Sequence, residues 1–374
     1  MKLKSTIAVG AVALAAVAAL AGCSSNSSSG GSTSSSSPSA SAVDLSSLSG
    51  TITAGGSSAQ ANVQQAWTAA FTAQATGVKV NYDKSQGSGG GVTNWLSGSY
   101  DFAGTDAAMN AQQYSAANGC AAGSKGLDIP VYLSGVDIIY KLQGVSSLKL
   151  DANTIAGIFS GKITKWNDPA IAKLNSGTTL PATAISVVHR SDASGTTNNF
   201  TTYLHQMAPS VWTSAANTAW PNSVGSGQQG GSGVVNTVEA GSGTIGYADQ
   251  SSIGKAAAAQ VEIGATGQFV SYSAARATES FAESGVLSPQ GTNDLTFDID
   301  TTKITNASAY PIPLLSYDVL CQNFKDSTQA KLTEAYVGFI GSKTGQQVGA
   351  QNAGAAPLPT TVQTKIAASL ATVK

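Results

Sequence analysis

From residue 48 onward, short apolar runs end in clusters of glycine and serine, and apolar residues at three- and four-residue spacing follow them. In "ITAGGSSAQANVQQAWTAAF" a strand reaches Gly55-Gly56-Ser57-Ser58. Val63, Ala66, Trp67, Ala70 and Phe71 then mark the inner face of a helix. In "VKVNYDKSQGSGGGVTNWLSG" an alternating strand over residues 78–82 leads to Gly87-Ser88-Gly89. Val92, Trp95 and Leu96 make one apolar face before Gly98 stops the turn. In "ISVVHRSDASGTTNNFTTYL" the strand covers residues 185–188 and the turn is Ser194-Gly195-Thr196, with Phe200, Tyr203 and Leu204 facing inward. Each segment predicts strand, Gly/Ser turn and helix, with a serine as the preferred cap. A fourth, "GSYDFAGTDAAMN", has a short strand over residues 100–103 ending at Gly104-Thr105-Asp106.

The first 47 residues follow another pattern. Lys2 and Lys4 precede an apolar run over residues 7–21, and small residues lead to Cys23. The run is too short and alanine-rich for a membrane span and has the shape of a secretory signal peptide. Leu20-Ala21-Gly22-Cys23 resembles a bacterial lipobox, in which Cys23 carries a lipid anchor of the palmitate kind and becomes the mature N-terminus. The alternative is an ordinary signal peptide that happens to be cleaved near a cysteine. Residues 1–22 are thus read as leader and 23–47 as a flexible Ser/Gly-rich tether, without large apolar side chains from Ser24 to Ala42. What remains is long enough for two domains with real cores.

Composition narrows the function. Only 10% of residues are charged and the net charge is −1, so nothing points to nucleic acid or an acidic membrane surface. Two histidines in the chain argue against a His-based metal site. Beyond Cys23 stand Cys120 and Cys321; two thiols in an exported protein most simply form one disulfide, the alternative being two buried free cysteines.

In so charge-poor a chain the three helix starts acquire a meaning. The first amides of a helix have no partner within it and lie at the positive end of its dipole, and glycine lets the backbone approach a ligand closely. One such terminus is an ordinary capped helix; three together point to a convergent anion site. Asp106 carries the contrary sign. A carboxylate beside an anion repels it unless the ligand brings a proton to donate, which favours hydrogen phosphate and excludes sulfate. Taken alone, Asp106 reads more readily as an N-cap for the following segment.

Enzyme signals are present but incomplete. Ser146 to Lys149 and Ser252 to Lys255 fit S-x-x-K and Lys343-Thr344-Gly345 fits K-T-G, but the S-D-N element of penicillin-recognising enzymes is missing. A serine hydrolase needs a histidine beside its nucleophile; His189 is placed on the face opposite Arg190, and no G-x-S-x-G elbow occurs. Gly241 to Gly246 satisfies G-x-G-x-x-G but lacks a helical pattern after it, so it reads as a turn. Trp166, Trp212 and Trp220 read as packing residues.

Taken in order, "GGSSAQANVQQAW", "GSGGGV", "YDFAGTDAAM", "VVHRSDASGTTNNFTTYL" and "GSGTIGYAD" resemble the phosphate-binding lipoprotein of the bacterial phosphate ABC transporter, over residues 48–373. The resemblance implies an α/β, two-domain, hinged periplasmic-binding-protein fold of type II, with the ligand in the interdomain cleft. Domain I would comprise residues 48–132 plus 312–374 and domain II residues 133–311. Crossing strands are expected near residues 129–136 and 310–315, and Cys120 would meet Cys321 in the first domain.

Carried over by motif, the phosphate ligands are Ser58, the Ala59 amide, Ser88, Asp106 as acceptor of the phosphate proton, Arg190, Ser194, Gly195 and Thr196. Asp192 supports Arg190, whose planar fork suits phosphate oxygens; the bland alternative for this pair is a surface ion pair. The family often has Thr-Phe where this chain has Ser58-Ala59. The hydroxyl and amide survive the change, but the aromatic cover does not. The function implied is extracytoplasmic capture of inorganic phosphate for an ABC permease, by a lipid-anchored monomer on the outer face of the cell membrane. No catalysis, cofactor or metal is called for. The alternatives are another protonated oxyanion or small polar solute, or an exported serine hydrolase.

Overall fold

The computed structural model describes residues 44–115 and 117–374. The leader, Cys23 and the tether up to residue 43 lie outside the described residues. The ordered chain starts slightly before the expected residue 48: Leu45–Ser47 form one 3-10 turn, started by the Asp44 carboxylate on the Ser46 amide at 3.1 Å.

Strands and helices then alternate. β1 (Ser49–Gly56), α1 (Ala61–Thr72), β2 (Gly77–Asp83), α2 (Gly87–Leu96), β3 (Phe102–Thr105) and α3 (Ala111–Ser115) lead to the long β4 (Gly126–Lys141). Then come β5 (Lys149–Leu150), α4 (Ala152–Phe159), α5 (Pro169–Leu174), β6 (Ser186–Arg190), α6 (Gly195–Met207), β7 (Ser226–Gln228), α7 (Gly230–Ala240) and β8 (Thr244–Asp249). Short pieces follow: β9 (Ala257–Ala258), β10 (Gln260–Glu262), β11 (Phe269–Val270), α8 (Ala274–Ser284), β12 (Gly285–Leu287) and β13 (Phe297–Ile299). β14 (Pro313–Cys321) returns through the sheet, and α9 (Ser327–Gly341), α10 (Lys343–Ala353) and α11 (Thr360–Leu370) close the chain.

The main sheet runs β2-β1-β3-β14-β4-β8-β6-β7, with β9 also on β4. β1, β2 and β3 are mutually parallel, as are β6, β7 and β8, which is what strand–helix–strand units produce. β4 and β14 run antiparallel to each other and join the two parallel groups. Residues 126–135 of β4 pair with β14, and residues 136–141 pair with β8. Every residue of β4 except Lys141 is buried, as are all nine of β14, so both read as nearly unbroken apolar runs.

The expected crossing runs at 129–136 and 310–315 are therefore the middle of β4 and the start of β14, both longer than expected. Pro130 does not lie on an edge. It sits in a central strand where Ser316 faces Tyr132 and Tyr317 faces Pro130, a bulge that spares the ladder the missing N–H.

Packing follows the predicted faces. Val63, Trp67 and Phe71 of α1, Val92 and Trp95 of α2, and Phe200, Tyr203 and Leu204 of α6 are all buried. Trp166 and Trp212 are core residues and Trp220 is half-buried beside Trp212. Cys120 and Cys321 form a disulfide across 201 residues, tying the segment before β4 to the end of β14 beside Trp95 and Val319.

Candidate functional site

Only one of the three predicted helix starts is capped by its serine. Ser194 has extended backbone and accepts the Thr197 amide on Oγ at 3.1 Å, which leaves the Gly195 and Thr196 amides with no partner inside α6. α2 begins earlier than its glycines suggested: Gly87, at φ +65°, turns the chain, and Ser88 lies inside the first turn. α1 begins at Ala61 without a side-chain cap, and Ser58 sits in the turn before it, where its carbonyl accepts the Ala61 amide. The turn can pack there because Gly56, at φ +136°, lies so close to the Gly104 carbonyl that a Cβ would be 2.1 Å from its oxygen.

The serines nonetheless share one arrangement. Ser88 Oγ accepts the Asp106 amide at 3.3 Å, Ser58 Oγ accepts the Gly231 amide at 3.1 Å, and Ser57 Oγ accepts the Ala59 amide at 3.1 Å. With an N–H on the oxygen, each hydroxyl has its proton free to donate elsewhere. The Ala59 amide, expected to face a ligand, is engaged by Ser57 in this structure.

The Gly231 contact belongs to a fourth helix start that the sequence reading missed. α7 begins without a side-chain cap; its Gly230 amide donates to Asp192 Oδ1 at 3.1 Å and its Gly231 amide to Ser58. The signal was present in Gly230, Gly231 and Gly233 followed by Val234, Val235 and Val238. It was hidden because the preceding strand, Ser-Gly-Gln, has no apolar residue.

Arg190 ends β6 and is only 3% exposed, so the surface ion pair is excluded. Its Nε donates to Asp192 Oδ1 at 2.7 Å and an Nη to Oδ2, a bidentate pair that leaves three of the five guanidinium hydrogens uncommitted. Burial alone would raise the Asp192 carboxyl; hydrogen bonds and charge from Arg190 outweigh it and hold the group below its ordinary range. Tyr247, from the "GTIGYAD" motif on β8, takes the Arg190 amide at 3.3 Å and bonds Thr197 at 2.6 Å, tying the strand end to α6.

His189 lies apart, stacked on Trp220 at 4.8 Å and 12°, with Nδ1 2.8 Å from the Arg190 carbonyl. Burial lowers its basicity, and it bonds no serine hydroxyl among the described residues.

Asp106 is 3% exposed and caps nothing; it faces inward. Oδ1 accepts the hydroxyls of Ser57 at 2.5 Å and Ser316 at 2.7 Å, and Oδ2 accepts that of Thr196 at 2.9 Å. Asn199 of α6 donates to its carbonyl at 2.5 Å. Burial raises the carboxyl above its ordinary value, and the three hydroxyls and the charge of Arg190 pull it back. A carboxylate has about four lone-pair positions, so three are filled and one, on Oδ2, is left for a donor. Ser57, Ser316 and Asn199 were not singled out in the sequence. Ser57 sits beside a residue that was, whereas Ser316 lies 210 residues from Asp106 in an apolar strand and had no local signal.

The structure thus brings Ser58, Ser88, Asp106, Arg190, Asp192, Ser194, Gly195 and Thr196 together at the ends of β1, β3 and β6 and the starts of α2, α6 and α7. Every group except the two carboxylates presents a donor. Comparison with known proteins agrees with the sequence motifs. A family model described as "PBP superfamily domain" matches residues 33–344. Phosphate-binding protein PstS 2 of Mycobacterium tuberculosis (strain ATCC 25618 / H37Rv) is 36% identical over 322 residues, covering 84% of this chain and 85% of that protein. Phosphate-binding protein PstS 3 of Mycobacterium leprae (strain TN) is 33% identical over 320 residues, 84% of this chain and 85% of that one. Among solved structures, a high affinity periplasmic phosphate-binding protein (PfluDING) bound with phosphate matches with a TM-score of 0.68. That match has 22% identity over 85% of this chain and 93% of that one, a likeness of fold.

Proposed function

The chain belongs to the phosphate-binding proteins of the PBP superfamily, and from that premise we propose that it captures inorganic phosphate between two lobes and delivers it to an ABC permease. The observation that carries the reading is Asp106: a buried carboxylate with one free acceptor position, set among groups that present donors, the other carboxylate, Asp192, being committed to Arg190 and Gly230. Such a site attracts an anion with its donors and rejects any anion that brings no proton, because carboxylate and ligand would then face each other unpaired. Sites that require a hydrogen-bonding partner discriminate by roughly 10⁴- to 10⁵-fold. Sulfate is excluded on this ground.

The ligand set is Ser58, the Ala59 amide, Ser88, Asp106, Arg190, Ser194, Gly195 and Thr196, with Asp192 holding the guanidinium. The Ala59 amide reaches the ligand once it leaves Ser57. The lobes divide as residues 48–132 plus 312–374 and residues 133–311. The hand-over of β4 from β14 to β8 at residues 135–136 and the start of β14 at residue 313 support that division. The protein works as a monomer, held outside the membrane through lipidated Cys23, and needs no cofactor or metal. No covalent step occurs: Ser194 Oγ accepts the Thr197 amide and keeps its proton for the ligand, and neither histidine reaches a serine hydroxyl among the described residues.

Equilibrium binding of labelled phosphate, with sulfate as competitor and p-nitrophenyl ester hydrolysis alongside, tests the reading. Saturable phosphate binding that excess sulfate does not displace is expected, and Asp106→Asn admits sulfate. Failure to bind phosphate, or ester turnover that vanishes in Ser194→Ala, overturns it.

A further inference from the structure

Asp106 does not set its own hydrogen-bond polarity. Ser316 Oγ donates to Asp106 Oδ1 at 2.7 Å and itself accepts a hydrogen from Gln60 Nε2 at 2.8 Å, across 256 residues of sequence. The same Nε2 donates to the Tyr317 carbonyl at 3.0 Å. A backbone carbonyl can only accept, so this end of the Gln60 amide is the NH2 group and cannot be turned over. Gln60 Oε1 is occupied in turn by Gln64 Nε2 at 2.8 Å, and Gln64 Oε1 by the Tyr336 hydroxyl at 2.8 Å. Gln60 and Ser316 are completely buried and Gln64 is 1% exposed, so no water competes for these bonds.

The consequence is directional. With a Gln60 hydrogen on its oxygen, Ser316 is left to donate its single proton. That proton goes to the nearby carboxylate in preference to the Thr105 carbonyl at 3.2 Å. Ser57 is set the same way by the Ala59 amide, so both lone-pair positions of Asp106 Oδ1 are filled by donors. Two donors on that oxygen favour the charged carboxylate, so the open position on Oδ2 stays an acceptor.

We propose that Gln60 is a specificity-determining positioning residue: through Ser316 it holds Asp106 as an acceptor, so the site admits only oxyanions that arrive with a proton. The proposal rests on the phosphate-binding reading. Without Gln60, the Ser316 hydroxyl is free to turn away, Oδ1 loses a donor that favours the charged carboxylate, and the open position on Oδ2 can take up a proton and donate it to a fully ionised ligand. Phosphate can both donate and accept and is indifferent to that change. Sulfate can only accept and gains from it.

Gln60→Met removes the polar arm at similar volume; Ser316→Ala removes the donor while leaving Gln60 on the Tyr317 carbonyl. Phosphate and sulfate binding are measured separately on wild type and both variants, across a pH series from about 5 to about 8 that covers the carboxylate–neutral range. Sulfate affinity near pH 6 is expected to rise about tenfold in each folded variant, with its onset moved to higher pH, while phosphate affinity changes less than about threefold. A merely structural role would weaken both anions together. Parallel weakening, or sulfate affinity equal to wild type, overturns the assignment of Gln60 while wild-type phosphate binding stands. Absence of phosphate binding by the wild type overturns the underlying reading and this proposal with it.

Discussion

Arg190 is asked to do two things with one planar group. It neutralises Asp192, which is 6% exposed, and it keeps three hydrogens for a ligand. Removing it altogether confounds the two, because a buried carboxylate left without its partner costs about 3–5 kcal/mol of stability. Arg190→Lys is the cleaner probe: it keeps the charge beside Asp192 but cannot present the fork. Hydrogen bonds to charged groups contribute about 1.5–3 kcal/mol, so phosphate affinity is expected to fall roughly 10- to 100-fold while the fold survives. Calorimetric titration with phosphate checks this, and an unchanged affinity removes Arg190 from the ligand set. At this scale the sequence was most legible where charge was scarce. Arg190, Asp192 and Asp106 stood out among few charged residues, and the hydroxyl and glycine positions followed from their turns. Gln60 and Gln64 did not, because glutamine on the apolar face of a helix reads as an exposed interruption. Their partners, Ser316 and Tyr336, lie more than 250 residues away.

The elements show why the helix starts converge although their caps differ. What the three segments have in common is a parallel strand that ends where the next helix begins. The two parallel groups run in opposite directions, and β3 and β8 both end against the middle of β4, near residues 130 and 136, so the turns face one another there whichever residue caps the helix. The strand–turn–helix pattern was readable. The entry residue of each helix was not, because it depends on backbone angles at Gly87 and on the turn at Ser58, which tertiary contacts decide. α6 gives the sharpest test. Gly195 is its first residue, its backbone is not in the left-handed region, and alanine there carries no backbone strain. An added Cβ would stand 2.7 Å from Asp106 N and Cβ and from Ser88 Oγ, which belong to the other side of the site. Forcing such an overlap costs about 1–3 kcal/mol. Gly195→Ala should therefore raise the phosphate Kd by roughly 5- to 150-fold. A variant that binds phosphate as tightly as wild type would mean that α6 does not close against Asp106.

Across the whole molecule, the two joining strands carry ionisable groups in positions that would otherwise be apolar. Asp128 and Asp137 lie on β4, Asp318 on β14 and Asp249 on the adjoining β8, all of them buried. Burial pushes Asp128 and Asp318 up to about 8, with the Asp294 charge adding to the effect at Asp128; it pushes Asp137 to about 7 and Asp249 to about 6. Such groups hide in sequence, since an aspartate inside an apolar run gives no hint of whether it faces water. Their collective effect has a definite sign. Between the ordinary carboxylate value of 3.8 and these raised values, the folded chain holds protons that the unfolded chain has released. The stability they provide is complete below that ordinary value and is lost as pH rises through about 6 to about 8. Denaturant midpoints measured without phosphate, which would add its own binding energy, should fall steadily from about pH 5 to about pH 8. Asp318→Asn keeps an acceptor for Gln64 Nε2, which lies 3.4 Å from Oδ1, and cannot titrate. Its curve should be flatter over the same window and should cross the wild-type curve toward higher stability at the alkaline end. A wild-type midpoint that rises with pH, or a slope untouched by Asp318→Asn, would mean that these carboxylates are ionised in the folded chain.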